Sequence, residues 1–251
     1  MELISSLHNP KVVRWRSLKE KKGRDAAGIF LAEGPKMVAE ALNAGFAAEA
    51  VLVRSDFHVP FPLPSGVPVY ELPDHVFRSV CDTRTPQGLA AIIRFTALPL
   101  KGSLLVALDG LQDPGNMGTV IRTADAAGFD GVIVGPDCVD VFSPKVLRAT
   151  MGSVFHVGLS FPPSLPEALR NYRDEGFAVI SSQLDGDPFF SRAPVAPPLV
   201  LVIGNEGNGI SAEVRSLATH RLRLPMRGKA ESLNASVAAG IMMYDLVRSL
   251  P

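Results

Sequence analysis

The apolar positions of this 251-residue chain fall into short runs that alternate with stretches of helical period. Apolar runs of roughly four to eight residues between turn residues are typical of buried strands, and apolar residues three or four positions apart are typical of helices. In the first hundred residues the pattern predicts a helix at 10–22 that Gly23 ends, a strand at 29–34, a helix at 35–44 that Gly45 ends, strands at 50–53 and 67–72, a helix at 73–80 and a strand at 88–95. This order is typical of an α/β unit.

Beyond a proline-containing stretch the alternation begins again. The pattern predicts strands at 104–110, 131–135, 177–182, 199–204 and 221–225, with helices at 117–127, 143–157, 164–176, 211–220 and 233–248. Continuously apolar strands separated by helices indicate a parallel sheet. We therefore predict an N-terminal domain at 1–96, a linker at 97–103 and a second domain at 104–251.

Three loops of the second domain follow predicted strands, at 109–118, 204–210 and 225–233. Parallel sheets bind ligands at the carboxyl ends of their strands. The first loop, DGLQDPGNMG, leads into a helix that carries Arg122; if this helix starts near Met117, Arg122 lies in its second turn and can reach back to Asn116. The alternative is an arginine paired with Asp125 on a solvent face, which contributes little stability. The GNMG spacing does not match a dinucleotide fingerprint.

The other two loops carry polar groups among small residues. In GNEGNGIS, the glycines allow positive φ and close ligand approach, and Glu206 is either a solvated turn residue or a hydrogen-bond acceptor. In PMRGKAESLNASVAAG, we favour Ser232, Leu233 and Asn234 as ligand candidates. The small residues at 238–240 are better explained by close helix packing.

Together, DPGNMGTVIRTADAAGF, IGNEGNGIS and LPMRGKAESLNASVAAGI resemble the three ordered motifs of the SpoU (TrmH-type) RNA ribose 2′-O-methyltransferases of the SPOUT superfamily. The resemblance spans about residues 104–248. FLAEGPKMVAEAL and TRTPQGLAAI resemble the N-terminal RNA-binding domain of the rRNA-directed members, which is like that of certain ribosomal proteins.

The resemblance implies an α/β fold whose C-terminal segment is threaded into a trefoil knot, and a homodimer in which each active site is completed by the partner chain. It implies S-adenosylmethionine as cofactor, held by Ile203, Gly204, Leu224, Met226, Ser232 and Leu233. It also implies a catalytic group made of Arg122, Asn116, Glu206, Asn234 and Ser236.

The role of Arg122 stays open between two kinds of chemistry. The family is usually described with this arginine as the base, but a guanidinium with a pKa above about 12 is a weak base. Arg122 can instead stabilise the developing alkoxide, or hold an adjacent phosphate that helps to remove the proton. A sulfonium methyl group is a good electrophile, so no metal is expected.

The charge distribution adds a candidate RNA contact. Lys+Arg and Asp+Glu are equal at 25 each, but the first 24 residues hold seven basic and two acidic side chains. We predict that Lys21, Lys22 and Arg24 contact RNA phosphates. The alternative is an amphipathic helix that buries Val12, Val13 and Trp15, and for Trp15 we favour it.

Other features limit the classes of protein. The two cysteines lack metal-binding spacing and are expected to be free buried thiols. No membrane span or signal peptide is expected, which predicts a cytoplasmic protein. Arg227 and Lys229 either touch RNA phosphate or are solvated, and the latter is favoured.

We predict a methyltransferase acting on the ribose 2′-hydroxyl of large-subunit ribosomal RNA. The alternatives are a tRNA 2′-O-methyltransferase and a non-catalytic RNA-binding protein of the same fold.

Overall fold

A computed structural model describes residues 1–96 and 98–250, so that Ala97, at the start of the predicted linker, and Pro251 lie outside the described residues. The chain forms two compact units. The first unit contains Met1–Thr96 and also Asp140–Phe155, and the second contains the remaining described residues. The first unit therefore includes a segment that follows part of the second unit in the sequence.

In the described part of the chain, the strands are β1 (Glu2–Leu3), β2 (Ile29–Glu33), β3 (Ala48–Arg54), β4 (Val69–Leu72), β5 (Leu89–Arg94), β6 (Leu104–Asp109), β7 (Gly131–Val134), β8 (Gly158–Ser160), β9 (Ala178–Pro188), β10 (Leu199–Gly204) and β11 (His220–Arg223). The α-helices there are α1 (Pro10–Ser17), α2 (Lys21–Ala27), α3 (Pro35–Asn43), α4 (Asp74–Val80), α5 (Pro114–Ala127), α6 (Pro144–Thr150), α7 (Leu165–Asp174), α8 (Ala212–Leu217) and α9 (Ala235–Arg248). Short 3₁₀ turns cover Ser153–Phe155 and Phe189–Ser191.

The first unit is built on a five-stranded sheet in the order β1-β4-β3-β5-β2. Strands β1, β4 and β3 are parallel, and β5 is antiparallel to both β3 and β2. The apolar residues of the central strands are buried on both sides, as the continuous apolar runs indicated. The sequence pattern did not predict β1.

The predicted helix at 10–22 is two helices, because the helical conformation is interrupted between Ser17 and Lys21. Gly23 does not end a helix but lies inside α2, where a Cβ atom would come within 2.1 Å of the Ser17 carbonyl oxygen. Glycine is needed here because the backbones approach so closely. The helix ends instead at Gly28, which has a left-handed φ of 63°.

Arg24 is not available to RNA, so this part of the RNA-contact prediction was wrong. Its side chain is only 3% exposed, and its Nε lies 3.1 Å from Oδ2 of Asp140. Its Nη1 donates to the carbonyl oxygens of Leu18 at 2.7 Å and Lys19 at 2.8 Å. The guanidinium thus satisfies the carbonyls left free at the break between α1 and α2.

Phenylalanines tie the segment 140–155 into the core of the first unit. The ring of Phe142 lies 4.7 Å from that of Phe95 and 5.0 Å from that of Phe30, measured between centroids. The ring of Phe155 lies 5.0 Å from that of Phe46 in an edge-on arrangement. Aromatic pairs at this separation attract each other beyond their buried area, so this segment is structural for the first unit.

The second unit is a six-stranded, fully parallel sheet in the order β11-β9-β10-β6-β7-β8, which confirms the predicted parallel α/β fold. Helix α5 begins earlier than predicted, because Asp113 caps it by accepting a 2.8 Å hydrogen bond from the Asn116 backbone and Pro114 occupies its first turn. Arg122 therefore lies in the third turn rather than the second. Strand β9 continues six residues beyond its predicted end at 182.

Candidate active site

The loops after β6 and β10 meet because these strands are parallel neighbours, with Asp109 in register with Gly204. The Asp109 carboxylate accepts a 2.7 Å hydrogen bond from the backbone N–H of Ser211. The Asn205 side chain donates a 2.8 Å hydrogen bond to the Gly110 carbonyl. The carboxyl ends of the two strands are thus joined into one rigid edge.

Gly204 allows the loop after β10 to fold back on itself. The backbones of Asn205 and Gly209 exchange two hydrogen bonds of 2.9 Å, and a Cβ on Gly204 would lie 2.3 Å from the carbonyl carbon of Gly209. Within this loop, positive φ occurs at Gly209, at 68°. The positive φ expected for this loop therefore occurs at Gly209. At Gly204, the missing side chain lets the backbone of Gly209 approach closely.

Glu206 is a hydrogen-bond acceptor as well as an exposed turn residue. Its carboxylate accepts from the backbone N–H groups of Gln112 at 3.1 Å and Asp113 at 3.0 Å, and from Asn116 Nδ2 at 3.0 Å. Partial burial raises the pKa of the carboxyl, but the three donors together outweigh it, so the pKa of Glu206 lies below its ordinary value. Glu206 therefore stays ionised and anchors the start of α5.

Asn116 joins Glu206 to the third loop. Its Oδ1 accepts from Asn234 Nδ2 at 2.9 Å and lies 3.1 Å from Ser236 Oγ. Asn234 in turn caps α9, since its Oδ1 accepts from the backbone N–H of Ser236 at 3.0 Å. The structure therefore brings Asn116, Glu206, Asn234 and Ser236 into one polar network.

Arg122 lies outside this network. Two residues six positions apart on an α-helix point about 120° apart around its axis; Asn116 is buried and Arg122 is exposed. Within residues 1–96 and 98–250, the Arg122 guanidinium forms no hydrogen bond or ion pair. The alternative pairing with Asp125 is absent, because Asp125 contacts Nδ1 of His156 at 3.1 Å.

A pocket of about 710 Å³ lies beside the network, at the carboxyl ends of β9, β10 and β11. It includes all six predicted cofactor residues: Ile203, Gly204, Leu224, Met226, Ser232 and Leu233. Glu206 and Asn234 also line it, so the pocket and the polar network share a boundary. Its volume suits a ligand of nucleoside size.

Sequence reasoning missed the wall of the pocket that β9 supplies. This wall consists of residues 182–185, among them the buried Gln183, whose Nε2 donates to Ser181 Oγ. A glutamine that directly follows the apolar run FAVISS was the available signal, because a buried amide needs polar partners. The wall was missed because the strand was expected to end at 182.

Two parts of the N-terminal prediction can be placed in the first unit. Lys21 and Lys22 are exposed on α2. Trp15 is buried, with its ring 5.3 Å from that of Tyr70, which confirms the preferred interpretation of this residue. Val13, expected to be buried with it, is 52% exposed.

Among the described residues, no group of three or more His, Cys, Asp or Glu side chains is placed to hold a metal ion. No helix in residues 1–96 and 98–250 has the length and apolar character that a membrane crossing requires. Cys81 and Cys138 are free, and burial raises the pKa of both thiols.

Comparison with known proteins gives matches for both parts of the chain. Residues 103–244 match the model of the SpoU rRNA Methylase family, and residues 9–91 match that of the MRM3-like substrate binding domain. The chain is 38% identical to the 23S rRNA (guanosine(2553)-2′-O)-methyltransferase RlmP of Bacillus subtilis strain 168, over 98% of this chain and 99% of that protein.

Comparison with solved structures leads to the same family. The AdoMet-bound rRNA methyltransferase from Sinorhizobium meliloti is similar with a TM-score of 0.88 and 34% identity, over 98% of this chain and 97% of that one. The SpoU methyltransferase AviRb from Streptomyces viridochromogenes, in complex with AdoMet, has a TM-score of 0.85 and 28% identity, over 96% and 98% of the two chains. These matches cover both units and confirm the resemblance seen in the three loop motifs: the chain belongs to the SpoU rRNA methylase family.

Proposed function

We propose that this protein transfers a methyl group from S-adenosylmethionine to a ribose 2′-hydroxyl of large-subunit ribosomal RNA. The observation that carries the proposal is the junction between the 710 Å³ pocket and the network of Asn116, Glu206, Asn234 and Ser236. Full-length similarity to a protein named as a 23S rRNA 2′-O-methyltransferase supports ribosomal RNA as the substrate.

The residues of the pocket fit the cofactor. Apolar side chains of Ile203, Leu224, Met226 and Leu233 offer a surface for a purine ring, and Gly204 exposes its backbone. Gln183 and Ser232 add neutral hydrogen-bonding groups. When bound, S-adenosylmethionine supplies an electrophilic sulfonium methyl group, so the remaining task of the protein is to present the ribose and manage the hydroxyl proton.

We assign the polar network a positioning role. The Glu206 carboxylate is engaged by three donors and its pKa is lowered, which makes it a poor proton acceptor. It holds Asn116, and Asn116 holds Asn234 at the first turn of α9. The mouth of the pocket is thereby fixed before RNA arrives, which lowers the cost of ordering the site.

Arg122 supplies the positive charge of the reaction. A guanidinium stays protonated at neutral pH, so it stabilises the ribose oxygen as the hydroxyl proton leaves toward a neighbouring phosphate or water. An exposed arginine with no partner among the described residues is free to take this role.

A homodimer explains how Arg122 reaches a site that its own helix turns away from. Helices α5 and α9 pack together, and α9 exposes an apolar stripe of Val237, Ile241 and Tyr244. We propose that a second copy covers this stripe and that Arg122 completes the active site of that copy. Exposed apolar stripes of this kind are typical of protein interfaces.

We propose a trefoil knot on the basis of the resemblance to the SpoU family, and the order of the strands supports it. The chain leaves β10, forms β11 on the far side of β9, and then returns so that α9 packs against α5 and β10. The returning segment carries Leu224, Met226, Ser232 and Leu233, so the threading would place pocket residues.

We further propose residues 1–96 as the RNA-binding domain and 104–251 as the methyltransferase domain, in a cytoplasmic protein. Lys21 and Lys22 on α2 are the candidate phosphate contacts of the RNA-binding domain. The match of residues 9–91 to a substrate binding domain supports this assignment. The segment 140–155 contributes to the packing of the first of these domains.

The decisive experiment maps 2′-O-methylated nucleotides in ribosomal and transfer RNA from cells with and without the gene. We expect one ribosomal site to lose its methyl group in the absence of the gene. Loss at a tRNA position instead would establish the tRNA alternative. An unchanged methylation pattern, with no binding of S-adenosylmethionine by calorimetry, would leave a non-catalytic RNA-binding protein.

A second experiment tests the sharing of Arg122 between subunits. Arg122→Ala and Asn116→Ala proteins, each expected to be inactive when expressed singly, are co-expressed so that mixed dimers form. We expect roughly a quarter of wild-type activity, since half of the dimers are mixed and each mixed dimer holds one intact site. No recovery in proven mixed dimers would contradict the sharing.

A further inference from the structure

Strand β11 presents two arginines to solvent along the edge of the second sheet. Its only strand neighbour among the described residues is β9, so one side of β11 is an open sheet edge. Leu222 is buried, whereas Arg221 and Arg223 on either side of it are exposed. Both side chains therefore reach solvent, next to the point where the register between β11 and β9 shifts, between Arg221 and Leu222.

The positive charge continues past the strand to residue 229. Between residues 220 and 230 the chain carries Arg221, Arg223, Arg227 and Lys229 and no acidic residue. All four are exposed, and none forms an ion pair or hydrogen bond with a residue in the described ranges. Two carboxylates of β9, Asp185 and Asp187, flank Gly186, which packs on the backbone of Arg221 and Leu222, and neither carboxylate forms an ion pair with Arg221 or Arg223.

Two other arginines of the second unit differ in this respect. Arg170 lies 3.9 Å from Glu213, and Arg173 lies 3.6 Å from Asp174. Four like charges close together in sequence repel each other and add nothing to folding stability. Their concentration in one segment is better explained by an anionic partner.

This basic segment frames the pocket. The chain runs from Arg223 into Leu224 and Met226, which line the pocket, and passes Lys229 before it returns to the lining at Glu231. A ribose presented to this pocket brings its flanking phosphates toward the segment, because the phosphates directly adjoin the ribose. Arginine forms paired hydrogen bonds to phosphate oxygens.

We propose that Arg221, Arg223, Arg227 and Lys229 form a phosphate-contact surface on the methyltransferase unit, which holds the RNA backbone beside the target ribose. This inference rests on the proposed function. It adds a second RNA contact to the substrate-binding unit, and it replaces the solvated interpretation of Arg227 and Lys229 favoured by the sequence alone.

The test compares Arg221→Ala/Arg223→Ala and Arg227→Ala/Lys229→Ala with the full-length wild-type protein. The matched control is Arg170→Ala/Arg173→Ala, which removes an exposed and a half-buried arginine of the same unit that have carboxylate neighbours. Affinity for an in-vitro transcript of large-subunit ribosomal RNA is measured over a range of salt concentrations. Calorimetry of S-adenosylmethionine binding and thermal unfolding establish that pocket and fold are intact.

We expect each basic-segment variant to bind the transcript about tenfold more weakly and to lose about 1.5 from the slope of log affinity against log salt, the value for two phosphate contacts. Cofactor affinity and the control should match the wild type. Unchanged RNA affinity and slope in both variants, with wild-type protein that binds and methylates RNA, would overturn this inference alone. Wild-type protein that neither binds nor methylates RNA would overturn the proposed function as well. Equal weakening of polyglutamate binding would make the segment a general anion surface and would also overturn it.

Discussion

The side chain of Asn116 donates a 3.0 Å hydrogen bond to Glu206, a residue 90 positions away in the sequence. This bond connects the first turn of α5 with the loop after β10, and the same asparagine accepts a hydrogen bond from Asn234 at the start of α9. Three loops that are distant in sequence are thus held together through one amide.

Glu206→Gln should loosen the network without changing its size. A glutamine amide presents an N–H₂ group where Glu206 now accepts from Gln112, Asp113 and Asn116. We expect the free energy of unfolding to fall on the order of 1 kcal/mol, and methylation to fall more than cofactor affinity. Urea unfolding and single-turnover assays measure both. Glu213→Gln, at an exposed carboxylate 3.9 Å from Arg170, is the control; wild-type turnover and stability in Glu206→Gln would contradict the role.

The contribution of Glu206 to stability should disappear in acid. Its folded-state pKa is below the ordinary value of 4.5, so the stabilisation is complete above that pH and is lost as the pH falls through the lowered pKa. The difference in unfolding free energy between wild type and Glu206→Gln, measured from neutral pH to well below 4.5, should shrink toward zero. Asp245, whose pKa is also lowered, is common to both proteins and cancels. A difference that persists in acid would show that the substitution acts through another contact.

Arg122→Ala should separate catalysis from cofactor binding. The guanidinium has no partner among the described residues, so its loss leaves no group unsatisfied there. We expect methylation to fall at least about a hundredfold, the typical effect of removing a group that stabilises developing charge, while calorimetry gives a nearly unchanged affinity for S-adenosylmethionine. Arg122→Lys should be intermediate, because it keeps the charge but not the planar fork. Arg170→Ala is the matched exposed control, and near-normal turnover in Arg122→Ala would remove Arg122 from the mechanism.

Arg24→Ala should lower the stability of the fold, whereas Lys21→Ala/Lys22→Ala should weaken RNA binding. Removing Arg24 leaves Asp140 and the carbonyls of Leu18 and Lys19 without their donor, and we expect a loss of about 3 kcal/mol in stability. The lysines are exposed, so their removal should leave the melting temperature unchanged and weaken RNA binding several-fold. Thermal unfolding measures the stability of both variants, and RNA titration measures their affinity for RNA. Equal RNA affinity in the double lysine variant would exclude α2 as an RNA contact.

Deletion of residues 1–96 is a poorer test of the same idea. It would remove Phe30 and Phe95 from their contacts with Phe142 and expose that side chain. Loss of RNA binding in such a deletion would mix misfolding with the loss of a binding surface, which the two substitutions keep apart.

Ile241→Lys/Tyr244→Lys should convert a dimer into monomers. Both residues belong to the exposed apolar stripe of α9, and a buried lysine pair in an interface is strongly unfavourable. Light scattering after size-exclusion chromatography measures the mass, and methylation should fall together with dimer content. Val13→Lys, at an apolar residue of the first unit that is 52% exposed, is the control. A double variant that remains dimeric would place the interface elsewhere.

Local pattern was sufficient for most elements. Apolar periodicity and the turn residues Gly and Pro report on each segment by itself, so the parallel sheet was predictable. The six pocket residues were named through the resemblance of the loops to the family motifs. The polar network was also predictable in membership, since Asn116, Glu206, Asn234 and Ser236 stand in the family motifs. The pocket wall that β9 supplies was not predicted, because the point at which β9 ends depends on its pairing with the neighbouring strand β11.

The sequence by itself determined the α/β order, the loops that carry the chemistry and the identity of their residues. Only the tertiary structure decided that Arg24 is buried against Asp140, 116 positions away, and that the segment 140–155 packs with the first unit. It also decided that Asn116 enters the network while Arg122 on the same helix faces solvent. These outcomes depend on partners from distant parts of the chain and on where α5 begins, and a local pattern of apolar and polar residues contains neither.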